Sequence, residues 1–171
     1  MKKFIMFVVS VCFLGVSYAG VFQTSMEQPV LTKKTTKAIV NSDSKTPPQY
    51  LETTCEIWAN KIVTKKSFGS VTTTQTRTFS IQSVMNEFEV QLKESLKGPH
   101  TLSRASSHVS AYAAGSETVS ISYHVNVPLE GNNHVTEKLF EINSPLGESI
   151  KKNSAAADFL INFLNVNCDM N

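Results

Sequence analysis

Apolar and polar residues alternate with a period of two along much of the chain. From Leu51 to Lys66, Cys55, Ile57, Ala59 and Val63 fall on one side, and Glu56, Trp58, Asn60 and Ile62 on the other. The stretch SFGS with Gly69 supplies a turn, and VTTTQTRTFSI follows, rich in β-branched residues. Together these predict a long antiparallel hairpin. The pattern then changes. Ile81, Met85, Phe88, Leu92 and Leu96 recur at helical spacing, with Ser83 as N-cap and Gly98-Pro99 as a stop, which predicts a helix from Ser83 to Lys97.

Alternation returns between Ser106 and Val127, in two runs around Gly115. Val109, Ala111 and Ala113 share a face, as do Val119, Ile121, Tyr123, Val125 and Val127. The turn LEGNN leads into HVTEKLFEI, a further strand of this meander. NSPLGESIKKN reads as a loop, with room for one helical turn after Pro145. SAAADFLINFLNV closes the pattern as a helix capped by Asn153 or Ser154, its broad stripe built from Phe159, Leu160, Phe163, Leu164 and Val166. The expected fold is α+β in the order β-β-α-β-β-β-α. An antiparallel sheet of about five strands buries one face under two helices.

The N-terminus changes the domain picture. Lys2 and Lys3 precede an apolar run from Phe4 to about Val16, and Ser17-Tyr18-Ala19 ends it with small residues before Gly20. This is the pattern of a bacterial secretory signal peptide, residues 1–19, cleaved after Ala19; an uncleaved anchor is the alternative. No cysteine stands at the cleavage point, which argues against a lipoprotein. Residues 20–49 are polar and poor in aromatics and read as a flexible spacer, although VLTKKTTKAIV has the composition of an edge strand. Residues 50–171 are then a single α+β domain, periplasmic or secreted, with no membrane span in the mature chain.

Charge excludes some partners. The chain has 16 basic and 14 acidic residues, and loss of Lys2 and Lys3 leaves 14 of each. A neutral mature chain carries no electrostatic footprint for nucleic acid. The basic cluster Lys33 to Lys37 reads as a solvated part of the spacer. Cys55 and Cys168 are the only cysteines of the mature chain, and in an oxidising compartment such a pair is expected to form a disulfide.

Candidate chemistry centres on His108 and His124, one in each run around Gly115. A loop of Gly115-Ser116-Glu117 sets them opposite one another; two other three-residue loops set His108 against Ser122 or Ser120. Even opposed, they are two weak metal ligands where zinc needs three or four. Their shared face also brings out Ser110, Tyr112 and Ser122, which suits a polar ligand or protein surface. Trp58 is read as covering the sheet beneath a helix, with ligand anchoring as the alternative. No nucleophile elbow and no Gly-rich phosphate loop occur, so no catalytic residue and no cofactor are expected. Three functions remain in order. The first is a non-enzymatic module binding an envelope protein, peptide or glycan. The second is a carrier holding a small apolar ligand among Phe88, Leu92, Phe159 and Phe163. The third is a histidine-based metal site or enzyme.

Overall fold

The computed structural model describes residues 28–39, 49–79, 85–104, 118–129, 133–143 and 147–169. In chain order these form β1 (Leu31–Ile39), β2 (Gln49–Ile57), β3 (Lys61–Phe68), β4 (Val71–Thr78), α1 (Met85–Ser95), β5 (His100–Arg104), β6 (Thr118–Pro128), β7 (His134–Asn143), β8 (Glu148–Lys152) and α2 (Ala155–Cys168). All eight strands belong to one antiparallel sheet, ordered β4-β3-β2-β1-β6-β7-β8-β5. β1 and β6 meet at the centre, and α1 lies in sequence between the two edge strands, β4 and β5.

Both helices pack into one core on one face of the sheet. Leu31, Ile57, Ile62, Val125, Val127 and Leu139 come from the strands, Phe88 and Leu92 from α1, and Leu160 and Leu164 from α2. Each fully buried side chain of this size contributes about 1.5–3 kcal/mol of transfer free energy. Phe163 joins the helices, its ring 5.1 Å from that of Phe88 and 6.0 Å from that of Phe79. The α2 start is capped by Ser154, whose hydroxyl accepts from the Ala157 N–H at 3.0 Å. Gly98, with φ +88, turns the chain after α1, and a Cβ there would stand 2.6 Å from the Asn153 carbonyl oxygen. Only glycine lets the end of α1 approach the β8–α2 junction this closely.

Two cross-links fix the far end of α2. The Cys55 and Cys168 sulfurs are 2.09 Å apart, at disulfide distance. One strand away, Lys33 donates to Asn165 Oδ1 at 3.0 Å and to Asp169 at 2.8 Å, while the Tyr123 hydroxyl donates to the same Asn165 oxygen at 2.8 Å. A cation here complements the negative end of the helix dipole as well as Asp169.

The architecture corrects the expected strand count from about five to eight, for three physical reasons. First, Leu31–Ile39, assigned to the spacer, is the central strand β1. Its register runs Leu31↔Ile57 and Leu31↔Val125, and Lys33 is bound to α2 rather than solvated. A strand with one open face and lysine stems along the other reads as polar although it sits mid-sheet. Residues 20–27 and 40–48 of that assignment lie outside the described residues. Second, the alternation from Leu51 to Lys66 hides a reversal. The Trp58 N–H donates to the Lys61 carbonyl at 2.8 Å, splitting the run into β2 and β3 and pairing Ile57 with Ile62 on the core side. Third, β5 and β8 have five residues each, too short and too polar to announce themselves; β8 replaces the expected loop. Among the described residues the order is therefore β-β-β-β-α-β-β-β-β-α, and the strand expected at Val109–Ala113 lies outside them.

Candidate binding face

The register divides the sheet into two chemically different faces. Leu31, Lys33, Cys55, Ile57, Tyr123 and Val125 point to the helices. The residues between them point away, among them Thr32, Lys34, Thr54, Glu56, Ser122 and His124. A bulge between β6 and β7 preserves this division. Tyr123 lies opposite Phe140 and His124 opposite Lys138, so Leu139 is the extra residue and both Leu139 and Phe140 join the core. Lys138 and Glu141 consequently share the other face, here called the helix-free face because no helix among the described residues packs on it, and there they form an ion pair.

Opposite charges interleave across this face. Lys34 pairs with Glu52 at 2.9 Å and Lys65 with Glu56 at 2.9 Å. Glu56 also accepts from the Trp58 indole N–H at 3.3 Å, and the Lys61 ammonium stands 4.7 Å from the Trp58 ring centroid. Trp58 thus sits with a carboxylate and two lysines on the helix-free side, not beneath a helix. The reversal at residues 58–60 takes it out of the core. The arrangement joins an aromatic plate, an oriented acid and threonine hydroxyls on one rigid surface, the mixture that recognises polar ligands or a protein surface.

Among the five ligand candidates, Ser122 and His124 lie on this face. Both sides of β6 are occupied: the cross-strand neighbours of His124 are Thr32 and Lys138, and those of Ser122 are Lys34 and Glu141. His108, Ser110 and Tyr112 lie outside the described residues. Burial, then the nearby Lys138 charge, lower the His124 pKa below its usual 6.5, with Glu141 opposing. A neighbouring ammonium also repels a metal cation. Among the described residues no three of His, Cys, Asp and Glu converge on a common point.

The other described histidines have separate surroundings. His100 lies with Nε2 2.9 Å from the Lys138 carbonyl and 3.2 Å from Glu137 Oε1, which also takes the buried Lys152 ammonium at 2.8 Å. This group ties β5, β7 and β8 together. His134 Nε2 is buried and has no hydrogen-bond partner among the described residues. Phe88 and Leu92, expected to line a carrier cavity, are buried in the core, whereas Phe159 is 39% exposed. A surface cleft of about 440 Å³ opens where α2 ends over β3 and β4, lined by Ile62, Thr64, Gln75, Thr76, Arg77 and Asn167.

Sequence reasoning missed Lys34, Glu52, Glu56 and Lys138 as members of the face. No local signal marks them, because they come from three strands, β1, β2 and β7, that only the sheet pairing brings onto one face. Among the described residues no helix is long and apolar enough to cross a membrane. Comparison with protein-family models, with curated proteins and with solved structures found no match.

Proposed function

We propose that this chain is an exported bacterial module, without enzymatic activity, that recognises a protein, peptide or glycan partner in the cell envelope through the helix-free face of its sheet. The observation that carries the reading is the segregation of the sheet. One face supplies the core under both helices, while the other sets Glu56, Lys34, Ser122 and His124 on adjacent strands, with Trp58 in the reversal just beyond β2. A rigid scaffold of this kind holds polar groups at fixed spacing, which lowers the ordering cost of binding. The Cys55–Cys168 pair suits an oxidising compartment. The carrier alternative has less support, since Phe88 and Leu92 are spent on packing against Leu160 and Leu164.

A photo-crosslinking residue placed at Lys34, on the binding face, tests the reading against one at Val90, exposed on α1. Illumination in the native envelope should yield a discrete adduct from the Lys34 position and none from the Val90 position. Equal labelling from both, or no adduct from either, refutes the assignment of this face.

A further inference from the structure

We propose that β4 is a pairing edge through which two copies of this chain join, antiparallel and about a twofold axis, into one continuous sheet. This inference stands apart from the binding-face reading, because it uses backbone groups at the rim of the sheet. Among the described residues β4 pairs only with β3, and all eight of its residues are exposed. The Gly69-Ser70 turn sets Phe68 directly opposite Val71, with Gly69 at φ +58. In such a two-residue hairpin the closing pair exchanges its backbone hydrogen bonds, and every second residue onward does the same. The odd-numbered residues of β4 therefore bond inward. The same phase holds one residue beyond the strand, where the Phe79 N–H donates to the Asn60 carbonyl at 3.1 Å. Thr72, Thr74, Thr76 and Thr78 turn their N–H and C=O groups outward.

Sheet edges are ordinarily blunted by lysine, proline, a bulge or shortness. β4 contains no lysine and no proline, and its register with β3 runs unbroken from Lys61↔Thr78 to Phe68↔Val71. Its one charge, Arg77, is turned to α2, where it donates to the Asn167 carbonyl at 2.8 Å. The opposite edge differs. β5 has five residues and carries Arg104, paired with Glu148 at 2.8 Å.

The occupant follows from symmetry. A twofold contact requires a strand complementary to itself. The outward row is threonine at every position, so it is the same read in either direction. With the axis at Gln75, Thr74 meets Thr76 of the second copy and Thr72 meets Thr78, which are favourable cross-strand pairs. Arg77 meets Thr73, so no like charges oppose.

The test is the mass of the oxidised mature protein by light scattering across a concentration series, beside two variants. Thr74→Pro removes an outward N–H and leaves the ladder to β3 intact. Thr76→Lys alters no backbone donor and places a charge in the pairing row. The wild type should reach twice the chain mass, and both variants should remain at the chain mass with an unchanged circular dichroism spectrum. Should Thr74→Pro fail to fold, Thr76→Lys decides. A wild type that stays at the chain mass throughout, or a folded Thr76→Lys protein that still doubles, overturns the proposal.

Discussion

Replacing Cys55 and Cys168 together by alanine should destabilise the domain chiefly through its unfolded state. The two residues are 113 apart in sequence. Closing a loop of that length removes chain entropy worth about 5 kcal/mol at 25 °C in the loop-closure treatment. Small domains have roughly 5–15 kcal/mol in total, so the variant loses between a third and all of its margin. The packing that the two sulfur atoms supply in the folded protein is a smaller quantity. The anchor of the sheet to the end of α2 is doubled by Lys33 on β1, which holds Asp169 and Asn165. Urea unfolding, with and without reductant, separates the contributions. The wild-type midpoint should fall sharply on reduction, while the alanine variant should be indifferent to reductant. The urea slope should also rise when the bridge is absent, because an unlinked chain exposes more surface on unfolding. Equal midpoints for oxidised and reduced wild type would refute the reasoning. So would a midpoint shift with an unchanged slope, which would place the effect in the native state.

Gly69→Ala and Gly98→Ala both force a side chain into the left-handed region, at a cost of about 1–2 kcal/mol each. Gly69 has open space around its Cβ position, whereas at Gly98 the Asn153 carbonyl is 2.6 Å away. Thermal unfolding should therefore show the larger loss for Gly98→Ala, and equal losses would contradict the packing of α1 on the β8–α2 junction. Lys33→Met should cost about 1–2 kcal/mol, since it strips a donor from Asn165 and a cation from the α2 C-terminus; denaturant midpoints for Lys33→Met and wild type measure it. His124 has a lowered pKa in the folded state, by burial and then by Lys138. The unfolded chain thus binds its proton more readily, and the contribution present above pH 6.5 is lost as pH falls through the folded value. His124→Gln should flatten the decline in unfolding midpoint between neutral and mildly acid pH, and an unaltered profile would exclude His124 from it.

Period-two alternation was informative where a strand has one core face along its covered length. Tyr123, Val125 and Val127 of β6 all face the core, as their spacing implied, and the Leu160 and Leu164 stripe of α2 was equally plain. Periodicity failed where a single residue changes the phase. Alternation alone would place Leu139 and Phe140 on opposite faces, yet the bulge beside Tyr123 turns both to the core, Leu139 fully buried and Phe140 partly. The reversal at Trp58 is a second phase change, and it moved the only tryptophan from the expected core to the helix-free face. Of the candidate site, Ser122 and His124 were legible because they share a strand. Glu56, Lys34 and Lys138 were not, because only the pairing of β2, β1, β6 and β7 makes them neighbours.

The polarity of β1 follows from how far the helices reach. Going along β1, the core-side positions are Leu31, Lys33, Thr35 and Lys37, and each heads a row across the sheet. The Leu31 row meets Ile57 and Val125 and is fully buried beneath the helices. The Lys33 row meets Cys55 and Tyr123, and there the end of α2 supplies Asn165, Cys168 and Asp169 as partners. The Thr35 row meets Thr53 and Ile121, and the Lys37 row meets Leu51, which in turn faces the 40%-exposed Phe68. Burial thus declines row by row along one strand, and the sequence follows it from leucine to a bound lysine to threonine. A strand whose apolar content is set by distance from a helix end has no periodic signal, which is why the centre of the sheet resembled a spacer. Among the described residues, the same gradient leaves the turn end of the β3–β4 hairpin beyond the helices, held by its ladder. In that position an edge of exposed threonines can accept another strand without moving anything in the core.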